Sequence, residues 1–407
     1  MREKGLKTLP FKPLKKILLI TPRFPFPVIG GDKLRIYNIV KYLSAFYRFT
    51  LVSLYSTEEE EKAEPEEGLF EKTYKIRQSK FRSGYNVIKH AAAGKSLQSG
   101  YFFNKKLKAL IQLLAPEHDV LFAHLVRTYE YVKDIKGIPM ICEMTDAISS
   151  NYRLVKAVGG RSFKKIVFSF EQKRCLSSEL ECLRHFNKNI LVSHHDREYL
   201  TGHLPHLSEK VDVITNGVDY RKYPYPRASV RKGKIIFIGN MRTLQNADAA
   251  CYFAREIFTK IYAGCPDSRF WIIGADPTPE VKALGKIPGV FVTGKVDDIT
   301  HYAQDAMVSV CPMRIGAGVQ NKILESMAMG IPVVTSSLGL SGLMARDTRD
   351  VLVADTPDEY ITKILRIHND INMTRRLTEN ARACIENNYA WEKTLCSYKD
   401  LIDGLVH

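Results

Sequence analysis

The sequence predicts an α/β chain made of two doubly wound, Rossmann-like domains, each with a mostly parallel sheet, facing a central cleft. Three observations predict it. Short β-branched runs alternate with longer helical patterns through the first half, the mark of βα units. The alternation restarts after a Pro- and Arg-rich stretch at Tyr223–Gly233. A glycine-rich turn then joins a strand to an amphipathic helix within residues 311–334.

In the first half the expected strands are Lys16–Thr21, Phe49–Tyr55, Lys72–Ile76, Asp119–Ala123, Pro139–Cys142, Asn189–Ser193 and Val211–Ile214. In the second they are Lys234–Gly239, Phe270–Gly274, Val290–Gly294, Val308–Pro312, Pro332–Ser336 and Val351–Ala354. Residues from Thr378 to His407 read as helical. The acidic run Glu58–Glu61 reads as a solvated loop. Two doubly wound domains leave ligands one natural place, at the carboxyl ends of their strands.

The first apolar run, Ile17–Ile20, comes too late and is too short for a signal peptide or a membrane span, so a cytoplasmic protein is expected. The eight cysteines include no C-x-x-C pair, which points to neither zinc nor a disulfide framework. The net charge of +16 is unevenly spread: residues 1–230 hold 39 Lys+Arg against 24 Asp+Glu. No nucleic-acid module accompanies it, so anionic lipid or a diphosphate-linked acceptor is the expected partner rather than nucleic acid. Two stretches that mix basic and bulky apolar residues, Ser79–Lys108 and Arg161–Arg174, are the candidates for peripheral membrane contact at the inner face. A core-facing helix with a basic outer side is the alternative for each.

The segment Cys311–Val334 carries the chemistry. A strand ends at Pro312, Gly316 and Gly318 permit a tight turn, and a helix runs on until Gly330 caps it ahead of Pro332. A helix head binds anions through its unpaired N–H groups, and Lys322 adds a full charge there. Glu325 lies seven residues past Gly318, about 10 Å along a helix axis at about 1.5 Å per residue, a fitting span from a diphosphate to its ribose. A carboxylate accepts both vicinal hydroxyls of a pentose. The simpler alternative for Glu325 is a salt bridge on the helix face. Asp146, after the strand ending near Cys142, either orients an acceptor or caps the following helix.

With these residues in place, Cys311–Val334 resembles the donor-binding signature of retaining family 4 glycosyltransferases. Asn216-Gly217-Val218-Asp219 resembles that family's turn between domains. The run Phe237–Met241, with Gly239 and Asn240, through Asn246–Ala249 resembles the start of its nucleotide domain, and Val290–Asp298 matches a further family segment. Pro22–Arg35, with Gly30, Gly31 and Arg35, resembles the loop that faces donor phosphates. Gly30 and Gly31 could also form a plain turn, and Arg35 could be a surface charge. Asp119–His124 resembles a strand whose histidine faces the donor sugar, though His124 could be an ordinary core histidine. The branch most resembled is the sugar transferases of bacterial exopolysaccharide systems.

The resemblance implies a GT-B layout: residues 1–215 an acceptor-side domain, 216–233 a linker, 234–385 a nucleotide-sugar domain, and 386–407 a helix packing back on the first domain. It implies transfer from a nucleotide-diphosphate sugar to a lipid-linked or polysaccharide acceptor, with retention of configuration. Lys322, Glu325, His124 and Asp146 are the expected catalytic residues. The family's first glutamate falls on Ala317, and its common Arg and Lys fall on Asn240 and Gln245. Donor-sugar contacts then shift to the backbone of Gly316, Ala317, Gly318 and Val319, with Gln320 and Asn321 beyond. The phosphate clamp shifts to Lys322, then Arg314, with Arg242 nearby. No Asp-x-Asp cluster stands out, so no metal and no cofactor are expected. The rival readings are a silent scaffold that binds nucleotide sugar and a nucleotide-sugar epimerase.

Overall fold

A computed structural model describes residues 14–157, 163–223, 225, 231–316 and 318–406. It contains two parallel sheets with helices, the GT-B kind of architecture. The strands of the first sheet are β1 (Lys16–Thr21), β2 (Arg48–Tyr55), β3 (Lys72–Arg77), β4 (Val120–His124), β5 (Met140–Thr145), β6 (Lys188–Leu191) and β7 (Val211–Val213). Its order is β3-β2-β1-β4-β5-β6-β7. The second sheet comprises β8 (Arg231–Ile238), β9 (Arg269–Ile273), β10 (Val290–Gly294), β11 (Ala306–Cys311), β12 (Val333–Thr335) and β13 (Leu352–Val353). Its order is β10-β9-β8-β11-β12-β13.

Each expected strand is found, with ends moved by three residues at most. The reason is the length and composition of the runs. β1 and β4 are buried along nearly their whole length, so both read as continuous apolar stretches between turn signals. Each sheet reverses its strand order once, between β1 and β4 and between β8 and β11. Ligand sites in open α/β sheets form at such switch points, beyond the carboxyl ends of the strands.

By internal contacts the chain divides into two compact units. One holds Met1–Ala91, Gln98–Glu143 and Tyr398–His407; the other holds Ala92–Leu97 and Met144–Ser397. Chain-terminal residues are tied into the first unit by side-chain bonds: Tyr47 Oη donates to Asp403 Oδ1 at 2.6 Å, and Arg35 donates to Tyr398 Oη at 2.7 Å. The terminal helix therefore does pack back on the first part of the chain, as expected.

Three local expectations need correction. The tail is two helices, Ile371–Asn388 and Trp391–Asp403, because Tyr389 is fully buried and its carbonyl accepts from Val218 N at 2.7 Å. Trp391 packs its ring against Gly217, where an added Cβ would come within 2.4 Å. Glu58–Lys62 is a short helix capped by Thr57 rather than a solvated loop, and Glu60 is buried beside Lys33 at 3.0 Å. The helix after Gly318 begins only at Asn321. The 10 Å span counted from Gly318 thus included three residues that are not helical.

Candidate functional site

In the second unit the site is built around the switch between β8 and β11. β11 delivers the chain to Cys311, and the loop after it is pinned from the β12 side. Ser336 Oγ donates to Met313 O at 2.7 Å and Thr335 Oγ1 to Cys311 O at 3.0 Å. Gly316 and Gly318 follow with φ of 89° and 101°, a region that L side chains rarely adopt. The helix Asn321–Ala328 starts behind them with no side-chain cap on its first-turn N–H groups. An uncapped helix head of this kind is an anion site. Ala317 lies outside the described residues.

Lys322, in the first turn, donates from Nζ to Asn246 Oδ1 at 2.9 Å and to Gln320 Oε1 at 3.1 Å. Its charge lies 5.5 Å from the centre of the Phe237 ring. Burial lowers its pKa, and the neighbouring Cys311 and Glu325 offset this only in part. Asn246 in turn donates to Asn240 O at 2.9 Å, and a Cβ on Gly239 would approach Asn246 Nδ2 to 2.7 Å. The glycine is what lets β8 end against that amide. Asn216 Nδ2 donates to Asn321 Oδ1 at 2.9 Å, which brings the Asn-Gly-Val-Asp turn to the helix head. Gln245 packs beside Gly316.

Glu325 stands one turn past Asn321, and burial pushes its carboxyl up to about 7, with Lys322 pulling weakly the other way. A carboxylate and an ammonium thus share a half-buried corner of one helix, the pairing needed to hold a diphosphate and a polyol together. Arg314 and Arg242 do not share it. Arg314 makes two bonds to Asp248, at 3.0 and 2.6 Å, and stacks 4.5 Å over Tyr252. Arg242 is exposed and pairs with Asp276 at 3.3 Å. Of the three cations expected to clamp phosphate, Lys322 alone has neutral hydrogen-bond partners.

Asp146 lies in the same unit, directly after β5. Thr145 before it holds φ of 68°, an uncommon conformation for a β-branched residue. A Cβ on Gly318 would stand 2.8 Å from Asp146 Oδ1 and 3.7 Å from Asp196 Oδ2. Neither Asp196 nor Gly342, where an added Cβ would come within 2.5 Å of the Gly318 carbonyl oxygen, stands out in the sequence. Asp196 reads locally as a helix-cap partner of Ser193, and it does accept from Ser193 Oγ at 2.9 Å.

The first unit gathers a separate group at its own switch point. Gly30 has φ of 101° and precedes the helix Gly31–Leu43. Asp32 in its first turn pairs with Arg23. Burial acts to raise the Asp32 pKa, but the Arg23 charge and bond, together with His124 and Arg127, lower it overall. His124 ends β4 almost wholly buried, and burial pushes its pKa down to about 3 against the opposing pull of the Asp32 carboxylate. Its Nδ1 has no hydrogen-bond partner among the described residues. Leu125, next in the chain, holds φ of 69°. Arg35 does not belong to this group. It is a core residue, 2% exposed, bonded to Glu143 and Tyr398, and is neither a surface charge nor a group open to a phosphate.

Residues 232–370 match the family model described as glycosyl transferases group 1. This segment is similar to that family. It contains all of β8 but its first residue, β9 to β13 and the whole helix Asn321–Ala328. The chain is 24% identical over 264 residues to Glycosyltransferase 1 domain-containing protein 1 of Xenopus tropicalis, covering 61% of this chain and 75% of that protein. It is 20% identical over 249 residues to an uncharacterized 44.6 kDa protein in the cps region of Klebsiella pneumoniae, 58% of this chain and 61% of that one. The crystal structure of Anabaena HepE in complex with UDP and glucose superposes with a TM-score of 0.65 at 14% identity, over 96% of this chain and all of that one. The likeness in fold thus runs along nearly the full chain.

Proposed function

We propose that the protein is a retaining, metal-independent glycosyltransferase of family 4. It would move a sugar from a nucleotide-diphosphate sugar to a lipid-linked or polysaccharide acceptor, as a peripheral protein at the inner face of the cytoplasmic membrane. One observation carries this reading: Lys322 and Glu325 share the first turns of a helix whose head is uncapped and preceded by two glycines of positive φ. The diphosphate would take the first-turn N–H groups and Lys322, and the ribose hydroxyls would bond to Glu325.

In the reaction the anomeric carbon–oxygen bond to the diphosphate breaks while the acceptor oxygen bonds to that carbon from the same face. The acceptor proton passes to the departing diphosphate oxygen. Lys322 and the helix head stabilise the charge that develops there, which is the role a metal would otherwise fill. Neutral His124 would accept or donate a hydrogen bond at a sugar hydroxyl, and Asp146 would orient the acceptor. In this layout residues 1–215 are the acceptor side and 234–385 the donor side.

The HepE neighbour holds UDP and glucose, and the Klebsiella relative lies in a cps region, so UDP-sugars head the donor screen and surface-polysaccharide precursors the acceptors. The test is release of nucleoside diphosphate from each nucleotide sugar, in EDTA and without it. Release unchanged by EDTA supports the reading. Binding without any release would favour a silent scaffold, and release only with added divalent cation would refute metal independence.

A further inference from the structure

The helix Lys80–Ala92 is inside out. Its buried side chains are Ser83 and His90, whereas Phe81, Tyr85 and Ile88 are 94%, 69% and 72% exposed. Positions i, i+4 and i+7 fall on one stripe, so the three largest apolar groups of this amphipathic segment point together into solvent. The opposite face is fixed to the protein by polar bonds. Ser83 Oγ donates to Tyr101 O at 2.9 Å and Asn86 Nδ2 to Phe103 O at 2.8 Å. An apolar stripe kept outward by a bonded polar face is arranged for something outside the chain to cover it.

The surrounding charge says what covers it. Residues 72–116 contain ten Lys and Arg and no Asp or Glu. Arg82 and Lys89 lie at the edge of the stripe, and both are exposed. A protein partner of ordinary composition would need to bring only acidic groups to this face. An anionic bilayer presents apolar depth and negative headgroups together, the combination that interfacial helices exploit.

We propose that Lys80–Ala92 docks the protein on an anionic membrane, with Phe81, Tyr85 and Ile88 in the interface and Arg82 and Lys89 on the headgroups. The same helix walls a cavity of about 70 Å³ at the carboxyl ends of β1, β2 and β3, where Lys80 and Ser83 face Arg23, Ser56 and Gln78. Docking therefore puts that cavity at the lipid surface, within reach of the headgroup of an anchored acceptor. The acceptor step rests on the glycosyl-transfer reading, but the docking does not.

The test is co-sedimentation of the full chain with vesicles of phosphatidylglycerol and phosphatidylcholine, against phosphatidylcholine alone. Binding is expected to the anionic vesicles only, and to weaken with salt. The triple variant Phe81→Ser, Tyr85→Ser, Ile88→Ser should lose at least about tenfold in bound fraction, since each burial contributes a transfer term of its own. Its thermal midpoint should not drop, because the three side chains are exposed. Ile371→Ser, at another exposed apolar residue, should bind as the native chain does. Equal binding by native and triple variant overturns the proposal, as does a dimer that the triple variant abolishes while vesicles capture nothing. Vesicle binding without nucleoside-diphosphate release would leave docking in place and remove only the transferase reading.

Discussion

Arg35 Nε donates to Glu143 Oε1 at 2.9 Å with both side chains out of contact with water, and Tyr398 bonds to each of them. The pair joins the helix Gly31–Leu43 to the end of β5, and the tyrosine adds the terminal helix. Breaking a buried pair from one side leaves a desolvated charge, at a cost of about 3–5 kcal/mol. Arg35→Ala should lower stability by that amount in a guanidinium titration. Where the fold is intact, the variant should bind nucleotide sugar as the native chain does. Lost donor binding without lost stability would return Arg35 to the donor site.

In the proposed transfer Lys322 would act on developing charge rather than on affinity alone. Its ammonium is preorganised by Asn246 and Gln320 at the head of the helix. Lys322→Met should lower kcat by about 10²–10³, the loss usual when one preorganised stabilising group is removed, with a much smaller change in donor affinity. Steady-state release of nucleoside diphosphate measures both. Equal losses in kcat and affinity would make Lys322 a ground-state contact. Arg314→Met should do less than either, because Asp248 already holds that guanidinium.

What the sequence made legible follows from locality. β1, β4 and the turn at Gly316–Gly318 are written in consecutive residues, and the structure has them where the pattern placed them. That Lys322 and Glu325 share one short helix was legible for the same reason. The fate of Arg35 was not: Glu143 is 108 residues away and Tyr398 is 363 away, so no local pattern distinguishes a core ion pair from a surface arginine. Asp248 and Asp276 claim Arg314 and Arg242 in the same nonlocal way. The stretch at residues 79–108 shows a further gap. Its basic and apolar mixture is plain in sequence, but which face the body of the protein binds depends on the carbonyls of Tyr101 and Phe103.

Glu325 should give donor binding a pH dependence near neutrality. Burial holds its carboxyl at about 7. A carboxylate is needed to accept from the ribose, so affinity for a nucleotide sugar should rise through pH 7 and fall about tenfold per unit on the acid side. The donor's own diphosphate diester does not titrate in that range. Glu325→Gln should weaken binding and flatten the profile. Stability has the opposite sign: the fold keeps a proton that the unfolded chain releases between the ordinary glutamate range and 7, so the native chain loses stability as pH rises across that window. The Gln variant should lose less, and parallel stability curves would show that Glu325 is not the group responsible.

Gly316 and Gly318 share a left-handed backbone but not their neighbours. Alanine at either site meets the same kind of strain, about 1–3 kcal/mol for a residue held in a sparsely populated region. At Gly316 the nearest atom to the new Cβ is Gln245 Cβ at 3.4 Å, a close contact that a small shift relieves. At Gly318 it is Asp146 Oδ1 at 2.8 Å, with the loop backed from behind by Gly342. The backbone there has little room to yield, so Asp146 must move. If Asp146 orients the acceptor, Gly318→Ala should lose more turnover than Gly316→Ala while the two lose similar stability. Turnover measured at saturating donor, beside thermal unfolding, separates the two effects. Turnover falling equally in both variants would mean that the Asp146 carboxylate does not act in the reaction.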